Sequence, residues 1–110
     1  MNSKYKARFE GYTASINWPD PTKPNPNSEA ADVTLSTLDG RKLTANFVTK
    51  PFLDYVFSKN SRTGECASGT YFCMKDGMIV VEKITERTVK ATIDDLINNY
   101  EVDFHFKEIK

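Results

Sequence analysis

Gly69-Thr-Tyr-Phe-Cys-Met-Lys-Asp-Gly-Met-Ile-Val-Val-Glu82 is the stretch whose reading decides the fold. Two apolar runs, Tyr71 to Met74 and Met78 to Val81, flank Asp76-Gly77, and Asp-Gly between β-formers signals a tight hairpin because both positions tolerate φ > 0. A two-residue loop sets Met74 against Ile79, Cys73 against Val80 and Phe72 against Val81. Apolar pairs then lie on both faces, so the spacing predicts a hairpin at the sheet centre, covered on both sides.

Upstream, Ala31–Leu38 and Arg41–Val48 read as a second hairpin. A three-residue loop, Leu38-Asp39-Gly40 with Gly40 left-handed, pairs Leu35 with Leu43 and Val33 with Ala45. Val33, Leu35, Leu43, Ala45 and Phe47 then share an apolar face, and Thr34, Ser36, Thr44 and Asn46 a polar one. Between the hairpins, Thr49 is a helix N-cap with Pro51 in the first turn, and Phe52, Leu53, Val56 and Phe57 form a face expected to pack on the sheet. Ser61–Gly69 reads as a polar loop. Its glycines do not make a phosphate loop, because no Gly-Lys-Ser/Thr opens a helix there.

Lys4–Glu10 alternates with period 2, as does Tyr12–Trp18 in the opposite parity, predicting a long strand bulged at Gly11 or two short strands with a bend there. Trp18–Asn27 holds four prolines and reads as an extended loop. Trp18 at its entrance is either a core aromatic or an interface anchor. Downstream, Thr85 caps a helix whose stripe is Val89, Ile93, Leu96, Ile97 and Tyr100, stopped at Asn98-Asn99. Val102, Phe104 and Phe106 alternate with polar residues as a final strand. The expectation is a single α+β domain over residues 1–110: a mostly antiparallel curved sheet of six to seven strands with two helices packed against it.

Composition narrows the function. With 110 residues, 39% of them hydrophobic, the chain supports an ordinary core. Fifteen basic against fifteen acidic residues argue against direct nucleic-acid binding, which draws its affinity from neutralising phosphates. No apolar run spans a membrane and no signal-peptide pattern opens the chain, so a cytoplasmic protein is expected. Cys66 and Cys73 lack metal or redox spacing, and Cys73 reads as a buried thiol. No catalytic, cofactor-binding or metal-ligating set emerges. The single histidine, His105, shares a side of the last strand with Asp103, which leaves a small hydrolase-like enzyme using Asp103 and His105 as the alternative. Asp94 and Asp95 point about 100° apart on a helix and cannot share a proton. The composition favours a protein that works by binding another protein.

Leu38-Asp39-Gly40, Phe52-Leu-Asp-Tyr-Val-Phe57, Thr63-Gly-Glu-Cys66, Gly69-Thr-Tyr-Phe72, Met78-Ile-Val-Val-Glu82 and Ile93-Asp-Asp-Leu-Ile97 together resemble small bacterial immunity proteins of contact-dependent growth inhibition and related polymorphic toxin systems. The likeness covers roughly residues 31–109 and rests on scaffold motifs. It implies a non-catalytic monomer or weak dimer that binds a cognate toxin domain, often a nuclease and here first an RNase, and covers its active site; a non-catalytic accessory protein with another partner is a further alternative. An inhibitor of a basic nuclease cleft should present acidic groups with an aromatic anchor. The candidates are Trp18, Asp20, Glu65, Asp94, Asp95, Glu101 and Asp103.

Overall fold

The computed structural model describes residues 2–20, 22, 25, 29–74 and 77–109. The β2–β3 hairpin is the spine. β2 (Ala30–Ser36) and β3 (Lys42–Thr49) pair antiparallel with Leu35 opposite Leu43 and Val33 opposite Ala45, the register that the apolar face requires. Gly40, at φ 91°, supplies the left-handed turn residue. Val33, Leu35, Leu43, Ala45 and Phe47 are all buried on one face, while Thr34, Ser36, Thr44 and Asn46 are half-buried on the other.

Among the described residues the sheet has five strands, with β1 (Thr13–Asn17) antiparallel to β2 on one side. The far edge of β3 is divided between two short strands. β4 (Met78–Val81) runs parallel to Asn46–Thr49, and β5 (Lys107–Glu108) runs antiparallel to Leu43–Thr44. The predicted central hairpin is therefore corrected. Tyr71–Met74 is not a strand, Tyr71 and Cys73 are exposed, and β3, not Met78–Val81, is central. The loop residue Asp76 lies outside the described residues. β4 reaches β3 through the intervening helix, in the parallel sense that such a crossover permits and a two-residue turn does not. Val80, paired to Val48 and 54% exposed, shows that the two-sided apolar run is an edge strand without a second cover.

α2 (Lys50–Thr63) follows β3 directly. Thr49 Oγ1 accepts from Phe52 N at 3.4 Å, Pro51 sits in the first turn, and Gly64 closes the helix. The predicted inward face is only partly realised: Val56 is buried, whereas Phe57 is exposed. Instead of a loop, α3 (Glu65–Gly69) is one turn of left-handed helix, with Cys66, Ala67 and Ser68 at φ 51°, 52° and 58°. Each such residue costs about 1–2 kcal/mol. Thr70 secures the turn, donating from N to Cys66 O at 3.0 Å and from Oγ1 to Ala67 O at 2.6 Å.

α4 (Glu86–Asn98) lies across the apolar face of the sheet and buries Val89, Ile93 and Ile97, with Thr85 Oγ1 accepting from Thr88 N at 3.1 Å. Two predicted strands are helical. The N-terminal segment is α1 (Asn2–Ala7) followed by a turn through Gly11, and the C-terminal one is α5 (Val102–His105) before β5. The cause is common to both. Tyr5 and Phe9, like Val102 and Phe106, are four residues apart, a spacing that shares a face in a strand and in a helix alike. Phe9, Val102 and Phe106 are buried, while Phe104, which strand alternation would bury with them, is 81% exposed. The fold is α+β and, among the described residues, has two long helices, three short ones and fewer strands than expected.

Candidate protein-binding groove

The face of the sheet turned away from α4 carries a depression of about 420 Å³. The strand register builds its floor. Asn17 stands opposite Asp32, and Asp32 opposite Asn46, so three polar side chains from adjacent strands, spaced about 4.8 Å apart, form one row. Trp18, which also packs against the buried core, and Pro19 border it where the chain leaves β1; Phe52 in the first turn of α2 and Met74 border it on another side. The Phe52 ring is braced edge-on by Phe72, with centroids 6.3 Å apart. Glu29 stands at the rim and, with Phe52, also borders an adjoining depression of about 370 Å³ lined by Pro51 and Tyr55.

The polar groups of this groove are two carboxamides, two carboxylates and the Trp18 indole. The Asn17 Nδ2 donates to Thr34 Oγ1 at 3.2 Å and the Asn46 Nδ2 to Gly77 O at 3.2 Å. Each amide thus commits one of its two N–H groups to the scaffold. Among the described residues, neither carboxamide oxygen accepts a hydrogen bond, and neither Glu29 nor Asp32 is in an ion pair. Among the described residues the groove carries two carboxylates outside any ion pair, beside the Phe52 ring.

Of the sequence-predicted residues, Trp18 belongs to this groove. Asp20 is exposed and closes an Asx turn, accepting from Thr22 N at 3.0 Å and Thr22 Oγ1 at 2.7 Å, bonds that hold its carboxyl below the usual range. Glu65 accompanies the left-handed turn, 3.6 Å from Lys59. Asp95 accepts from Asn99 Nδ2 at 3.2 Å, and Glu101 is half-buried just before α5. Asp103 lies 3.8 Å from Arg8. The six carboxylates among them do not merge into one acidic patch, since Glu65, Asp94 and Asp103 each face a cation of their own.

Asp94 is a structural latch. It accepts from Tyr12 Oη at 2.7 Å and from Lys90 Nζ at 2.7 Å, tying α4 to the entrance of β1. The Lys90 hydrogen bond lowers the Asp94 carboxyl below its ordinary value, and burial with the Asp94 hydrogen bond raises the Tyr12 phenol. Since the folded Asp94 holds its proton less tightly than the unfolded one, its stabilisation is complete above about pH 4 and drains as pH falls further. The Tyr12 contribution has the opposite sign, full below about pH 10 and lost as pH rises through the elevated value. Asp94→Asn is expected to cost about 1 kcal/mol at pH 7, discounted for a side chain 42% exposed. Urea melts at pH 7 and pH 3 check this: a difference from the parent that does not shrink at pH 3 contradicts the latch.

A second depression, about 390 Å³, lies beside β5 and is bordered by Asp103, His105 and Lys107. Asp103 and His105 stand on one helical turn and do not project from one side of a strand as expected. Among the described residues they share no hydrogen bond. No group of three or more His, Cys, Asp or Glu is placed to hold a metal among the described residues, and no helix there is long and apolar enough to cross a membrane. Both cysteines are free thiols.

Sequence reasoning missed Glu29, Asp32, Asn17, Asn46, Phe52 and Tyr55 as groove residues. One signal was present: Asp32 is a lone charge in the run Ala30–Leu35. The comparisons add no relative, since no family model, no curated protein and no solved structure matches this chain.

Proposed function

We propose that this protein is an immunity protein of a polymorphic toxin system, binding a cognate toxin domain and covering its active site. The observation that supports the reading is the groove in which the Asp32 and Glu29 carboxylates, outside any ion pair among the described residues, lie near the Phe52 ring. A nuclease must hold phosphate with Lys and Arg, and such a basic cleft is complementary to a surface offering unpaired carboxylates. Phe52, with Tyr55 beside the adjoining depression, supplies aromatic contact area of the kind that anchors tight complexes. An RNase toxin is the first candidate. With zero formal charge over the whole chain, attraction to the partner is local to this face. The protein acts from the cytoplasm as a monomer or weak dimer, without catalytic residue or cofactor.

The decisive experiment co-expresses the protein with the toxin domain encoded by the adjacent reading frame. Survival of the cells and a stable co-purified complex are expected; death of the cells with no complex refutes inhibition. The depression shared by Asp103 and His105 supports a second reading, a small hydrolase-like enzyme. A hydrolytic turnover abolished by His105→Ala would establish it.

A further inference from the structure

We infer that β1 is a dimerisation edge: two copies of this chain pair through Thr13–Asn17, antiparallel about a two-fold axis at Ser15, into one continuous sheet. The inference does not depend on the binding function proposed above. Among the described residues β1 is the outermost strand on its side of the sheet. Apart from its ladder with β2, no backbone hydrogen bond reaches residues 13–17 among the described residues, so the outer N–H and C=O groups of β1 stand open to a further strand.

Natural sheets blunt a free edge with lysine, proline or a bulge. Thr13-Ala-Ser-Ile-Asn17 has none of these: it is uncharged and pairs residue for residue with Ser36 to Asp32. The opposite side of the sheet differs, because β4 is four residues long and is followed at once by Glu82-Lys83. The apolar layer is also unfinished at β1. Ala14 and Ile16 stand opposite Leu35 and Val33, both fully buried in the core, yet Ala14 is exposed and Ile16 only half-buried.

The occupant is a second copy because the strand is complementary to itself. Antiparallel pairing about Ser15 sets Ala14 against Ile16 of the second copy, a small side chain against a large one on the apolar face. On the polar face Thr13 meets Asn17 of the second copy and Ser15 meets its own counterpart, groups that can each donate and accept. Residues opposed in this register have the same parity, so the outward backbone groups of one strand face those of the other. No like charges are opposed within the strand, and zero formal charge on the chain removes long-range repulsion between copies.

Sedimentation velocity of the full chain from about 1 to 500 µM should show a monomer passing into a dimer, the weak association expected of a small interface. Ser15→Lys puts two like charges on the axis at an exposed position and should raise the dimer dissociation constant about tenfold or more, with an unchanged circular dichroism spectrum. Introduced cysteines test the register in a chain with Cys66 and Cys73 replaced by serine. Ser15→Cys should cross-link under mild oxidation, because the Cα–Cα separation across the axis is about 4.5–5.5 Å, within disulfide reach. Thr13→Cys alone should not, lying about 14 Å from its counterpart, whereas a mixture of Thr13→Cys and Asn17→Cys chains should form the mixed disulfide. A monomer throughout the concentration range overturns the inference. A dimer indifferent to Ser15→Lys, or one in which Ser15→Cys fails to cross-link, places the contact elsewhere and overturns it as well.

Discussion

Phe47→Ala is expected to cost about 3–5 kcal/mol, a large share of the roughly 5–15 kcal/mol that holds a domain of this size together. Phe47 is fully buried in the central strand, with Ala31 as its partner on β2 and Ile79 on β4. Its ring meets that of Phe106 edge-on at 6.2 Å. Truncation thus opens a cavity where the hairpin, the edge strand and the C-terminal segment converge, and a site bounded by three separate elements collapses poorly. Urea denaturation would register the loss as a lower midpoint at unchanged slope. Phe47→Leu, expected to cost about 1–2 kcal/mol, keeps the test readable if the alanine variant does not fold. A loss below about 1 kcal/mol for the alanine variant would mean that this is not the centre of the core.

Gly77→Ala is expected to destabilise by about 2–4 kcal/mol, through backbone strain and a steric collision together. Gly77 has φ +86°, and a Cβ there would lie 2.4 Å from the carbonyl oxygen of His105. Neither partner can yield cheaply, because both atoms belong to the backbone near the junction of β4 and β5. The Gly77 carbonyl also accepts from Asn46 N at 3.0 Å and from Asn46 Nδ2 at 3.2 Å. A displaced Gly77 therefore loosens β4 and the Asn46 side chain of the groove floor together. Thermal melting and hydrogen exchange at the Asn46 amide give independent readouts. A variant within about 0.5 kcal/mol of the parent, with Asn46 equally protected, would show that the close approach is not needed.

The parts of the fold legible in the sequence are those where one period dominates. The β2–β3 register followed from Val33 and Leu35 against Leu43 and Ala45, since a slip by one residue would turn the apolar set toward solvent. Thr49 and Thr85 marked helix starts because a cap is a local event, settled within three residues of chain. Tyr5 and Phe9, four apart, fit period 2 and period 3.6 equally, while at residues 102–106 Phe104 completes an alternation that the helix leaves exposed, so both segments read as strands. At Asp76-Gly77 the turn signal was local, but the pairing partner of β4 was decided by β3, whose free edge Met78–Val81 joins in parallel. The groove was less legible still. Its residues come from β1, β2, β3, α2 and the segment containing Met74, and only the three-strand register brings Asn17, Asp32 and Asn46 into a row. Trp18 could be flagged by its position beside prolines; Asp32 drew no notice because a polar residue on an outward strand face is ordinary.

The divided far edge of β3 dictates an order of assembly. The β2–β3 hairpin closes through a tight turn and can zip early, at small entropic cost. Residues 43–44 gain their last neighbour only when residues 107–108 arrive from the far end of the chain, with Val102 and Phe106 sealing the core beside them. Until then the strand at the heart of the sheet has a bare flank, open to a foreign strand as much as to its own, and the interval before that closure is when the newly made chain is most exposed to aggregation.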